Sequence, residues 1–261
     1  MSVTLLILDS VTRLPPEAAG AVVVGASHGA VSAAQLSASG HVRAAIHHDA
    51  GIGLDEAGVG GLAYADSLGM AMAAVATASA RIGDGADLYA RGIISRANRL
   101  AAACGVTAGM ACREATERLK AATWPYPLPP PKPEGRHLVE GVLCMDSAVL
   151  VVPEDRGLVI AAGSHGALNS GRTMAPIRPA LVLFNDAGPG IDRGGVLGVD
   201  LLDGEGIAAG AVAALSARIG DGRSTLQDGT LSTVNRAAER LGLHVGGSAL
   251  ALARAVAEKI G

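Results

Sequence analysis

Four short phrases of this chain, rich in residues that transfer protons or hold anions, each occur twice. Ser27-His28-Gly29 returns as Ser164-His165-Gly166, and Asp49-Ala50-Gly51-x-Gly53-x-Asp55 returns as Asp186-Ala187-Gly188-x-Gly190-x-Asp192. Ser79 to Gly85, which carries Arg81, is repeated without change as Ser216 to Gly222, which carries Arg218. The fourth phrase is Asp9-Ser10, repeated as Asp146-Ser147.

An imidazole and a carboxylate are the usual general acids and bases near neutral pH, so His28, His165, Asp49 and Asp186 are the catalytic candidates. Arg81 and Arg218 suit the planar, bidentate holding of a carboxylate or phosphate. The hydroxyls of Ser27 and Ser164, with the backbone N–H groups of Gly29 and Gly166, sit where a strand should turn into a helix; they would cap that helix or help its first N–H groups hold an anion. Gly51 and Gly188 let the backbone approach a ligand closely. Asp55 and Asp192 read as N-caps of the next helix. His48 and its counterpart Asn185 complete the substrate-binding set, and His47-His48 against Phe184-Asn185 is the sharpest difference between the two versions.

Absences narrow the chemistry. Only Lys120, Lys132 and Lys259 are lysines, all outside the repeated phrases, so a Ser–Lys dyad, a P-loop and a Schiff-base lysine lack a candidate. The glycine spacing is not a dinucleotide fingerprint, and neither His-Glu-x-x-His nor EF-hand spacing occurs. A zinc site needing His47 and His48 would exist in one version at most. No metal and no cofactor is therefore expected. Cys104, Cys112 and Cys144 are odd in number and read as small buried hydrophobes.

The phrases belong to a longer correspondence: residues 9–109 lie on 146–246 at a constant offset of 137 without a gap, and 39 of the 101 pairs are identical. Apolar positions drift by volume-conserving swaps, such as Val23 against Ile160, while polar and glycine residues persist. Short apolar runs, 3–8, 21–25, 42–47 and 71–78 with counterparts at 142–145, 158–162, 180–184 and 208–215, alternate with helix-length segments at 30–38, 56–68, 97–104 and 110–122. Such runs, bounded by glycine and serine, predict a buried, mainly parallel sheet with helical crossovers. Ser95 and Ser232 are expected to cap the helices that follow them.

The predicted fold class is α/β: two tandem homologous α/β repeats, each a mainly parallel sheet flanked by helices, related by a pseudo-twofold axis. Residues 1–122 form the first repeat, 123–139 a proline-rich linker and 140–261 the second repeat. The linker holds six of the twelve prolines between Trp124 and Pro133, a polyproline strap of roughly 30 Å. Because ligands of open α/β sheets bind beyond the carboxyl ends of strands, all four phrases should meet on one edge, in a cleft shared by the repeats.

Five aromatic residues and a net charge of −3 without a basic run argue against a nucleic-acid partner. The apolar stretch ending at Asp9 is too short for a signal peptide or a membrane span, which predicts a cytoplasmic protein without a membrane partner. The alanine- and glycine-rich helices predict a homo-oligomer. Together these features predict an enzyme acting on a small anionic metabolite by acid–base chemistry, of hydrolase or lyase/isomerase type. The rival expectations are a non-catalytic metabolite-binding or sensory module and a phosphohistidine carrier.

Overall fold

The computed structural model describes residues 3–130 and 135–260. They form an α/β structure with two mostly parallel sheets, of five and six strands, each flanked by helices and each within its own compact unit. The first unit also takes in Gly190–Asp192, and the second takes in Gly53–Asp55.

In the first unit the order along the chain is β1 (Leu5–Leu8), β2 (Val22–His28), α1 (Val31–Ser39), β3 (Ala44–His48), α2 (Gly61–Leu68), β4 (Ala71–Val75), α3 (Gly85–Arg91), β5 (Ile94–Ala97), α4 (Arg99–Ala103) and α5 (Cys112–Leu119). The strands lie side by side in that same order, parallel from β1 to β4, with β5 antiparallel at the edge. Right-handed crossovers that always step the same way put their helices on one face. Accordingly Ala33, Ala34 and Ala38 of α1 and Ala65 of α2 pack with Val23, Ala45 and Met72. Val22, Val24, Ala44, Ile46 and Ala73 face the other way, onto Leu88 of α3, Ala101 of α4 and Ala115 and Leu119 of α5. Both faces are dry, which is why these strands read as continuous apolar runs rather than alternating ones.

The second unit opens with a hairpin, β6 (Arg136–Val139) and β7 (Val142–Met145), whose two-residue turn Glu140-Gly141 has positive φ at both positions (50° and 79°). That is the geometry of a type I′ turn, matched to the strand twist. Next come β8 (Val159–His165), α6 (Leu168–Met174), β9 (Leu181–Asn185), α7 (Leu197–Gly204), β10 (Ala209–Val212), α8 (Gly222–Gln227), β11 (Leu231–Val234), α9 (Arg236–Arg240) and α10 (Ala249–Ile260). The sheet order is β11-β10-β9-β8-β7-β6, with β7 to β10 parallel.

Several local expectations change. Residues 136–139, read as the end of a linker, are strand β6. Ser95 and Ser232 lie inside strands β5 and β11, and the caps of α4 and α9 are Asn98 and Asn235, which accept from Ala101 N and Ala238 N at 2.9 Å. Asp55 and Asp192 cap no helix: they sit at positive φ inside the 3-10 turns Leu54–Val59 and Ile191–Val196. Ser27 and Ser164 do not cap α1 or α6, whose N-caps are Ala30 and Ala167 without a side-chain bond.

The described part of the proline strap, through Pro130, lies on the first unit: Trp124 and Tyr126 join the core cluster of α1 and α2, and Gln35 Nε2 donates to Pro130 O at 2.7 Å. Pro131 to Pro133 of the expected linker fall outside the described residues. Among the described residues no helix is long and apolar enough to cross a membrane. Cys112 and Cys144 are buried, Cys104 is half-buried, and all three are free thiols.

Candidate functional site

The repeated phrases interlock at the carboxyl ends of the parallel strands. In the first unit, residues 79–85 leave β4 and run back as an arch over β3 and β2 to β1. Its Ala80 O receives a bond from His48 Nε2 (3.0 Å), its Gly83 N donates to Ala26 O (2.8 Å), and its Gly85 N donates to Asp9 Oδ1 (2.9 Å). The second unit repeats the arch with Asn185 Nδ2 on Ala217 O (3.0 Å), Gly220 N on Gly163 O (2.7 Å) and Gly222 N on Asp146 Oδ1 (3.4 Å). A Cβ at Gly85 or Gly222 would stand 2.5 Å from Leu8 O or 2.4 Å from Met145 O, so only glycine lets the arch touch down on the first parallel strand.

The strand β2 loses its regular register between Val24 and His28, and β8 does so between Ala161 and His165. Such bulges re-aim side chains at strand ends. Here they bring His28 opposite His48 and His165 opposite Asn185.

Three imidazoles therefore gather in the first unit. His47, buried completely, sits between Gly25 O and the Ser37 hydroxyl, both 3.0 Å away; because a carbonyl only accepts, Nδ1 carries the proton and Nε2 accepts from Ser37. His48 donates from Nε2 to Ala80 O and accepts Ala50 N–H on Nδ1 at 3.0 Å. His28 is different, for its Nδ1 is buried and meets no partner. Burial pushes His47 down to about 4. Burial, then the neighbouring His47 and His48, push His28 down to about 4, and burial lowers His48 as well. All three are neutral at pH 7.

The second unit fills the same frame with other chemistry. Phe184 and Met174, both fully buried in one apolar cluster, replace the hydrogen-bonded pair His47 and Ser37. Asn185 reproduces His48 atom for atom: its Nδ2 donates to Ala217 O and its Oδ1 accepts Ala187 N–H at 2.9 Å. His165 is buried, with Nδ1 3.4 Å from Ala167 N.

The other site candidates are tied into this scaffold. The Ser27 and Ser164 hydroxyls accept from Val11 N (3.1 Å) and Ala148 N (2.8 Å), tying down the segment after the first parallel strand. Gly29 N and Gly166 N donate to His48 O (2.7 Å) and Asn185 O (2.9 Å). Asp49 Oδ1 accepts from Gly51 N (3.1 Å) and Thr77 N (2.9 Å). Asp186 Oδ1 accepts from Gly188 N and Ala214 N, and its Oδ2 from Ser232 Oγ at 2.7 Å. The N–H groups of Gly29, Gly166, Gly51 and Gly188 are thus engaged within the fold.

Arg81 lies over the arch, paired with Asp84 (3.2 Å) and Asp87 (3.3 Å), and its Nε is buried without a partner. Asp87 also receives Arg81 N and Arg91. Its burial works to raise the carboxyl, but the Arg91 hydrogen bond, the Arg81 amide and both guanidinium charges hold it below the usual carboxylate range. In the second unit Ser224 takes the place of Asp87, accepting Arg218 N at 2.9 Å, while the Arg218 guanidinium meets Asp228 (3.4 Å) and Asp55 (2.5 Å).

Sequence reasoning passed over Asp87, Ser37 and Ser224, which differ between the two units at the 137-residue offset. Covariation was the available signal, because Ser37 and His47 become Met174 and Phe184 together. It also passed over a retained group away from the arch. Asn98 accepts Met72 N (3.0 Å) and donates to Met70 O (2.8 Å) at the start of β4, and Asp66 accepts Leu100 N (3.2 Å); Asn235 repeats the first two bonds and Asp203 accepts Ala237 N (3.2 Å). Retained polar residues therefore mark two places, not one edge. Among the described residues no group of three metal-ligating side chains occurs.

Comparison of the chain with protein-family models, with curated proteins and with solved structures gave no match.

Proposed function

We propose that the chain is an enzyme acting on a small carboxylate or phosphate metabolite by acid–base chemistry, of hydrolase or lyase/isomerase type, and that its two units are homologous tandem repeats. The observation that carries this reading is a pair of atoms. Among the described residues, His28 Nδ1 and Arg81 Nε are the buried side-chain nitrogens without a hydrogen-bond partner. Leaving such a group unsatisfied costs about 1–3 kcal/mol, a strain that folds otherwise remove. The backbone groups of Ala80, Gly83 and Gly85 in the arch are bonded, and these two side-chain atoms stand out against them.

In this reading His28, neutral at pH 7, takes a proton from a substrate carbon or from water and returns it, while Arg81 holds the anionic group. Asp49 positions the loop after β3 through its two N–H bonds. His165, Asp186 and Arg218 are the equivalent set in the second unit, where the imidazole cluster is replaced by Phe184 and Asn185. The first unit is accordingly the better equipped for proton transfer.

The test is a panel of small carboxylates and phosphates incubated with the protein and followed by mass analysis. For any compound turned over, His28→Gln should lower kcat by about 10²–10⁴-fold with little change in KM. Arg81→Gln should raise KM. Unchanged kcat in the His28 variant overturns the assignment. A binding or sensory module is the second reading, favoured by the engagement of the Asp49 and Asp186 carboxylates with backbone amides; it predicts a ligand recovered unaltered.

A further inference from the structure

One face of the first unit has a built-in occupant. Trp124 Nε1 donates to His41 O (2.9 Å), and the Tyr126 hydroxyl donates to Val42 O (2.8 Å). The His41 ring lies 5.2 Å from the Trp124 ring and 5.3 Å from that of Tyr126, and the Arg43 guanidinium covers Trp124 at 5.5 Å. The seat is shaped by two glycines: a Cβ on Gly20 would meet the Trp124 ring at 3.3 Å, and one on Gly69 would meet Tyr126 Cβ at 3.5 Å.

The same seat exists in the second unit, 137 residues on. Arg178, Pro179, Gly206 and Ile207, the counterparts of His41, Val42, Gly69 and Met70, line a groove of about 370 Å³ together with Arg240 and Leu241 of the α9 end. Here a Cβ on Gly157 or Gly206, the counterparts of Gly20 and Gly69, would meet nothing among the described residues within 4 Å. Leu158 and Leu241 are 41% and 38% exposed, although Leu158 stands where Ala21 is fully buried in the first unit.

The charge around the seat has changed in one direction. Arg178 stands for His41, Arg240 for Ala103 and Arg172 for Gln35, the residue that binds Pro130 in the first unit. An occupant of the second seat therefore meets an apolar floor and, at the groove itself, the two guanidinium groups of Arg178 and Arg240. The Arg178 guanidinium makes a long hydrogen bond to Glu205 O, at 3.4 Å.

We propose that this groove docks an extended polypeptide segment of a partner protein, one that carries an aromatic residue next to proline, as Trp124-Pro-Tyr126 does, with acidic residues beside it. The aromatic side chain would lie over Gly206 and Ile207, a tyrosyl hydroxyl would reach Pro179 O as Tyr126 reaches Val42 O, and the acidic residues would pair with Arg178 and Arg240. Proline lowers the entropy lost on docking by holding the segment extended before it binds.

Fluorescence anisotropy on the full chain tests this with three labelled peptides: the sequence of residues 122–130, the same sequence preceded by three glutamates, and the glutamate form with both aromatic residues replaced by alanine. The glutamate form should bind saturably and at least about tenfold more tightly than the plain one, a difference lost in high salt as screening predicts. The alanine form should bind about tenfold more weakly or not at all. Arg240→Glu and Leu241→Arg, both at exposed positions, should each abolish the glutamate preference or the binding while circular dichroism and thermal unfolding stay unchanged. Four outcomes overturn the proposal. They are absence of saturable binding up to millimolar peptide, binding indifferent to both variants, binding of small aromatic acids equal to that of the peptides, and concentration-dependent self-association that the variants remove.

Discussion

The ends of β3 and β9 serve the same architecture with unlike side chains, and the contrast separates what the fold requires from what it merely permits. At one position the two units need a donor and an acceptor held about one side chain apart, and either His48 or Asn185 supplies them. At the preceding position they need only filled volume. One unit fills it with an imidazole and a hydroxyl, the other with Phe184 and Met174. The fold thus specifies hydrogen bonds at the arch strictly and chemistry beneath it loosely. What the first unit gains is a cluster of neutral histidines, with a titration that Phe184 and Asn185 cannot have.

Moving one side of the contrast into the other should give the largest effect. Phe184→His puts an imidazole beside Met174, with no hydroxyl to bind it, so the loss of apolar packing and an unsatisfied nitrogen together should cost about 3–5 kcal/mol of unfolding free energy. Adding Met174→Ser should restore about 1–2 kcal/mol of that, a coupling that urea unfolding of the single and double variants measures. Additive losses would show that the Ser37–His47 bond is not what makes the histidine tolerable.

Acid should act next most strongly, through the first unit. His47 takes up a second ring proton only below about 4 when folded but near 6.5 when unfolded, so the unfolded state binds more protons between those values and stability falls as the pH drops through that window. Full titration is worth on the order of 3 kcal/mol for this one residue, given the size of the shift. Stability measured between pH 7.5 and pH 4.5 should decline, and the decline should shrink in His47→Phe with Ser37→Met. A decline of the same size in that double variant would assign the acid sensitivity elsewhere.

The smallest effect is also the sharpest test. His48→Asn should change stability by less than about 1 kcal/mol, because Asn185 already meets the same demand, whereas Asn185→Ala should cost about 1–3 kcal/mol by removing the side-chain bonds to Ala217 O and Ala187 N. Hydrogen exchange of the Ala50 and Ala187 amides reads both outcomes locally. A large loss in His48→Asn would mean that the imidazole does more than hold the arch.

The parallel strands were legible because burial on both faces leaves uninterrupted apolar runs, such as Val22–Val24 and Leu181–Phe184, closed by polar phrases. The antiparallel edges were not. Ile94-Ser-Arg-Ala and Arg136-His-Leu-Val are four residues each and mix charge with apolar residues, since an edge strand faces solvent along one side. Helix α3 was hidden for another reason: its first turn begins on Gly85, whose presence is dictated by the close pass over Leu8 rather than by helix propensity. At the site, the retained Ser, Asp and Gly residues were visible as a group, but their hydrogen bonds are long-range in sequence, and a list of conserved-looking pairs does not reveal that they bind one another. His28 and Arg81 were legible as types. Their orphaned nitrogens are a property of packing and leave no trace in the residue order.

The hairpin that opens the second sheet has a bearing on how the protein behaves at high concentration. β6 lies beyond β7 and presents Arg136 and His137 at the sheet margin, so that the outermost hydrogen-bonding row belongs to a short, charged strand. Among the described residues the first sheet has no such strand beyond its parallel margin. Its margin is β1, Leu-Leu-Ile-Leu, with Ile7 40% exposed and a single neighbour in the ladder. An apolar, uncharged margin of this kind is a template for strand addition, so unwanted fibre-like association of this protein should begin at Leu5–Leu8, and a lysine introduced at Ile7 is the place to suppress it.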